Sequence, residues 1–164
     1  KCLEKKKIGK FTAYDAYSKA YIANPYMMRT LYKLAEIEYG EGEYEKAVKH
    51  SNEIIHVLLN GYPMNEAMPG QQLYAYKSLV LLGDIYHAEE RHELAIKSYE
   101  RALELAKTRS LFYEVWDDAH ISFGSIQKMC MPIHPIYYKI INCAAICNDV
   151  NQRAKYYEIL QYEK

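Results

Sequence analysis

The chain has 164 residues, half of them apolar and 26% charged, a composition that suits one globular domain able to bury a core. Lys plus Arg and Asp plus Glu both number 21, so no net charge draws the chain to nucleic acid or to an acidic membrane. No run approaches the roughly 20 apolar residues of a membrane span, and the basic stretch from Lys1 to Lys10 lacks the apolar core of a signal peptide. Four cysteines (Cys2, Cys130, Cys143 and Cys147) do not make the dense framework of a small secreted domain, so reduced thiols in a cytoplasmic setting are expected.

Helical periodicity predicts eight helices, at 11–23, 28–40, 44–60, 72–88, 91–108, 111–128, 135–147 and 151–162, and no sheet. The first carries Ala13, Tyr17 and Ala20 before Pro25, a small–aromatic–small set on one helix face, where Ala lets a neighbouring helix approach. In the second, Leu31, Leu34, Ala35 and Ile37 lead to a turn at Gly40 and Gly42. Tyr44 and Ala47 then open the third, and Ala47 stands 34 residues after Ala13. From Ala47 to Ala95 the step is 48 residues, and the surplus of 14 falls in the Pro- and Gly-broken stretch from Asn60 to Gly70. Leu79, Leu82, Gly83, Ile85 and Tyr86 repeat the pattern, followed by Ala95, Tyr99 and Ala102. A fainter echo, Phe123-Gly124-Ser125-Ile126, comes 41 residues after Leu82-Gly83-Asp84-Ile85. Pro132 and Pro135 then interrupt the chain, and the last two helices turn at Asn148-Asp149. They read as a degenerate repeat or as a cap with a polar outer face.

A period of about 34 residues marks a repeat architecture. On these residues the chain resembles the tetratricopeptide repeat superfamily, most closely from Leu81 to Leu105. The 41-residue step is similar to longer variant repeats of peptide-sensing regulators and adaptor proteins. The resemblance implies an all-α solenoid, a right-handed superhelix of antiparallel helix-turn-helix repeats. It divides the chain into the second half of a truncated repeat (1–25), a repeat (26–59), an inserted loop (60–71), a second repeat (72–109) and a divergent repeat with cap (110–164). With its first helix pair read as cut in the middle, the chain is expected to be a piece of a longer protein. Three substitutions depart from the family pattern: Glu38 stands for tyrosine, Ser51 for an aromatic and Ile54 for alanine.

Such folds bind peptides on a concave face lined by the first helix of each pair. In the repeat register that face carries Arg29, Tyr32, Glu36 and Tyr39, then Lys77, Val80, Asp84 and His87, then Asp118, Ile121, Ser125 and Lys128. Family members that hold the acidic tail of chaperones carry a basic clamp in these slots. Here Tyr32, Glu36 and Asp84 occupy them, and the two carboxylates would repel a carboxylate ligand. A peptide partner with basic and apolar side chains is expected instead. The same residues also suit an ordinary solvated helix face. Tyr62, Met64 and Met68 make the inserted loop a possible contact surface, or a plug that folds back on the stack.

Other chemistry finds little footing. Cys143 and Cys147 are four apart, as are Cys130 and His134, but neither pair has zinc-knuckle spacing, and Pro132 and Pro135 argue against a regular helix around His134. No metal or cofactor is expected. Gly40-Glu41-Gly42 lacks the Lys-Ser/Thr of a phosphate loop, and Asp117 and His120 are plain i,i+3 neighbours without a nucleophile beside them. The expected function is a non-catalytic scaffold for a protein or peptide partner. A signal-sensing domain within a larger regulator, or a module that self-associates, are the competing expectations.

Overall fold

The computed structural model describes residues 12–60, 71–108, 113–114, 126–127 and 133–162. They form seven helices: α1 (Ala13–Ala23), α2 (Met28–Gly40), α3 (Tyr44–Asn60), α4 (Gln71–Ala88), α5 (His92–Thr108), α6 (His134–Ile146) and α7 (Val150–Tyr162). A two-residue antiparallel pair, β1 (Tyr113–Glu114) with β2 (Ile126–Gln127), lies between α5 and α6. Each helix packs on its chain neighbour: α1 on α2 and α2 on α3, then α4 on α5, α5 on α6 and α6 on α7. This is an all-α fold with the packing order of a tetratricopeptide-like α-solenoid. No described helix is long and apolar enough to cross a membrane.

The expected helix over 111–128 is not what the described residues show. Tyr113, Glu114, Ile126 and Gln127 pair as strands, so the expectation of no sheet fails at this short ladder. The physical reason is legible in composition. Phe112, Tyr113, Val115, Trp116, Ile121 and Phe123 are aromatic or β-branched, and Gly124 is a poor helix residue. Pro135 also acts differently from the expectation that it argues against a regular helix around His134, and Pro132 lies outside the described residues. Pro135 sits in the first turn of α6, where its missing N–H has no helical partner to lose, and His134 begins the helix.

The sequence reads as one domain, whereas the contacts divide it into two compact units, 1–63 and 64–164, with the boundary inside the inserted loop. In the first unit α1 is started by a capping box. The Thr12 hydroxyl accepts from the Asp15 N–H, and the Asp15 carboxylate accepts from the Thr12 N–H at 2.7 Å. The core of this unit is Met28, Leu31, Leu34, Ala35, Ala47, Ile54 and Ile55. In the second unit α4 is buried around most of its circumference, and Tyr76, Leu82, Ile85, Tyr99, Tyr137 and Ile140 dominate the core.

Three hairpin turns share one backbone design. The N–H groups of Glu43, Arg91 and Asp149 bond back to the carbonyls of Glu38, Tyr86 and Ala144, each at 2.8 Å. The residue before each of them is left-handed: Gly42 at φ 79°, Glu90 at φ 61° and Asn148 at φ 56°. These are Schellman turns, which satisfy the orphan carbonyls at a helix end. The α6–α7 hairpin thus turns as the α2–α3 and α4–α5 hairpins do. Its side chains depart, since the alanine five residues after the left-handed position (Ala47, Ala95) is Arg153 here.

Candidate functional site

On α2 the residues Arg29, Tyr32, Glu36 and Tyr39 follow one another at three- and four-residue steps, which sets them on one face. Arg29 and Glu36 are exposed and the two tyrosines half-buried, while Leu31, Leu34, Ala35 and Glu38 turn inward. Glu36 accepts from Lys33 at 2.7 Å, a surface pair that contributes little to stability. Tyr39 lies 5.9 Å from the Tyr44 ring. On α4, Lys77, Val80, Asp84 and His87 form the corresponding partly accessible stripe.

The two acidic positions meet different fates. Asp84 is engaged within its own unit: its Oδ1 accepts from the Tyr99 hydroxyl of α5 at 2.6 Å and from the Lys139 ammonium of α6. Its charge is therefore largely matched before any ligand arrives. His87 likewise faces its neighbours, with its Nδ1 3.1 Å from the Nδ1 of His92 and 3.4 Å from the Sγ of Cys143. Cys143 is buried, and burial pushes its thiol up to about 11, with the nearby Cys147 and Asp84 adding to the effect. Cys147, by contrast, is exposed just past the end of α6.

Glu38, the substitution for tyrosine, is a buried carboxylate at 1% exposure. It accepts from the Tyr14 hydroxyl at 3.1 Å and meets His50 Nδ1 at 2.7 Å. The His50 ring stands edge-on to Tyr21 at 5.6 Å, and the Tyr21 hydroxyl donates to Glu53 at 3.0 Å. Tyr14 and Tyr21 are both raised above 10.0, first by burial and then by the carboxylates they bond. This network ties α1 and α3 to α2 and is structural in character.

Two clefts were not anticipated from sequence. One of about 600 Å³ in the first unit is bounded by Tyr21 of α1, Leu31 of α2 and Lys49, Glu53 and His56 of α3. The other, of about 610 Å³, lies in the second unit against Tyr138 and Asn142 of α6 and Arg153 and Tyr157 of α7. The only sequence signal for the latter is its pair of i,i+4 steps. The remaining expected positions, Asp118, Ile121, Ser125 and Lys128 with Asp117 and His120, and Tyr62, Met64 and Met68 of the inserted loop, lie outside the described residues. So does Cys130, while His134, four residues on, is exposed at the start of α6.

The α4–α5 hairpin carries the decisive comparison. Residues 76–109, a span of one full period, match the family described as Tetratricopeptide repeat. The chain carries a tetratricopeptide repeat. In that repeat Gly83 is the close-approach position, since a Cβ built there would sit 2.5 Å from Tyr99 Cδ1 and 2.7 Å from Cζ. A search of curated proteins gives no significant match to the chain. Tetratricopeptide repeats generally mediate protein–protein interaction.

Proposed function

We propose that the chain is a non-catalytic interaction module that takes an extended or helical peptide on the open stripes of its repeat helices. Arg29, Tyr32, Glu36 and Tyr39 on α2 form one such surface, and Lys77, Asp84 and His87 on α4 form the other. The observation that carries this reading is the accessibility pattern. Arg29, Tyr32, Glu36, Tyr39 and Lys77, Val80, Asp84, His87 hold the same repeat positions on the two helices, and all eight keep access to solvent. Amphipathic tyrosines there supply contact area at low entropic cost.

The favoured ligand is a peptide with basic and apolar side chains. Glu36 carries most of that preference, because it is the more exposed carboxylate and is held only by a surface pair with Lys33, whereas Asp84 is bonded to both Tyr99 and Lys139. Photo-crosslinking from an unnatural side chain at Tyr32 or at Lys77, with exposed Lys97 on α5 as the control position, tests the reading. Capture of one partner from position 32 or 77 and not from 97 supports it, and capture from 97 alone overturns it. In the supporting case, Glu36→Lys weakens a basic peptide several-fold and leaves an acidic-tailed peptide no weaker.

A further inference from the structure

We propose that His87, His92 and Cys143 form a binding site for a borderline-soft divalent cation of the Zn²⁺ class, with a solvent molecule as the fourth ligand. The site goes beyond the interaction role and does not depend on it. Its three side chains come from the end of α4, the start of α5 and the last turn of α6, all within the second unit.

Geometry carries the argument. One ligand atom from each residue lies within 4.8 Å of the others. Zn–N bonds of about 2.0–2.1 Å and a Zn–S bond of about 2.3 Å, set tetrahedrally, place N and N about 3.3 Å apart and N and S about 3.6 Å apart. The His87–His92 nitrogens are 3.1 Å apart and His87 Nδ1 is 3.4 Å from the Cys143 sulfur. These two edges meet the tetrahedral values with shifts of a few tenths of an ångström, and the third, between His92 and Cys143, lies within 4.8 Å before the ligands close on a cation. Two imidazoles and a thiolate, with no carboxylate among them, select Zn²⁺-like ions over Mg²⁺ or Ca²⁺.

The surroundings fit the charge. Asp84 lies one turn before His87 on α4 and Lys139 one turn before Cys143 on α6, and the two neutralise each other beside the trio. Binding converts the Cys143 S–H to a thiolate and releases its proton to solvent. His87 and His92 are partly exposed, which leaves a way in from solvent and room for the fourth ligand. Bound there, the cation would pin α6 to the α4–α5 hairpin and raise the stability of the folded unit by mass action.

The full chain, freed of metal with a chelator and kept reduced, should be titrated with Co²⁺ and then with Zn²⁺. We expect one equivalent of Co²⁺ to give a thiolate-to-cobalt charge-transfer band that Zn²⁺ removes. Cys143→Ser should abolish the band. His92→Ala, a change at a partly exposed helix start, should weaken binding by more than about 100-fold, beyond the loss caused by an outer-shell partner. Circular dichroism checks each variant, and His92→Ala decides the matter if Cys143→Ser fails to fold. Absence of the band in the wild-type chain overturns the site. So does a band that forms in His92→Ala with undiminished Co²⁺ affinity, or one that is lost when Cys2, Cys130 and Cys147 are changed to Ser with Cys143 intact.

Discussion

Gly83 and Tyr99 in the α4–α5 hairpin correspond, 48 residues earlier, to Ala35 and Ser51 in the α2–α3 hairpin. In the later hairpin a bare α-carbon lets the Tyr99 ring lie against α4, and the ring is 1% exposed. In the earlier one a methyl stands on α2, a small hydroxyl stands on α3, and bulk returns three residues on, where Ile54 replaces Ala102. The polar work moves too. Tyr99 spends its hydroxyl on Asp84, whereas Glu38 and His50 do the bonding in the first hairpin, at the places of Tyr86 and Ser98. The difference teaches that the repeat constrains the volume between its helices more tightly than it constrains which residue supplies it.

Breaking the polar half of this comparison should give the largest effect. His50→Ala leaves Glu38 buried with only the Tyr14 hydroxyl, and urea unfolding should show a loss of about 3 kcal/mol. Ser98→Ala, at the matching place, should change stability by less than about 1 kcal/mol. Equal losses would mean that the first network is dispensable. Next comes volume. Gly83→Ala should destabilise by about 2 kcal/mol although alanine is the better helix residue by about 1 kcal/mol, because its methyl drives into Tyr99. A double-mutant cycle with Tyr99→Leu should recover at least about 1 kcal/mol of that loss; an additive result would place the strain elsewhere.

Smaller changes sharpen the contrast. The Ser51 hydroxyl is buried without a hydrogen-bond partner among the described residues. Ser51→Ala should therefore raise the unfolding midpoint, by the equivalent of about 1 kcal/mol, since it removes an unsatisfied group and improves helix propensity. A drop would reveal a bond formed by that hydroxyl. Smallest is the turn. Glu90→Gly should stabilise by about 0.5 kcal/mol, because glycine relieves the left-handed backbone that Glu90 adopts where the first hairpin already has Gly42. Thermal denaturation of this variant beside Glu90→Ala, which relieves nothing, isolates the backbone contribution.

Periodicity made the helices legible wherever one face is apolar and the other wet: α2 and α3 fall on 28–40 and 44–60 as read from Leu31, Leu34 and Ala47. It misled at 111–128, where an apolar spacing compatible with a helix is built from residues that favour strands. The open stripes on α2 and α4 followed from the repeat register. The inward engagement of Asp84 did not, because its partner Lys139 lies 55 residues away on a helix outside the matched repeat. His92 was illegible for a related reason. Its spacing of five from His87 corresponds to no ligand pattern on a helix, and only the turn between α4 and α5 closes the gap. Glu38 stood out in the sequence as a departure from the family pattern, but nothing local marked His50 as its partner.

The Schellman turn shared by the three hairpins asks for one residue that tolerates a left-handed backbone and is nearly indifferent to the rest. Gly42, Glu90 and Asn148 all meet that demand. A geometry held by main-chain bonds lets the surrounding letters drift without loss of the bend, so kinship recorded in side chains fades sooner than kinship recorded in dihedral angles. Of the three hairpins, one matches the repeat family by its letters, and the other two share the geometry of its turn.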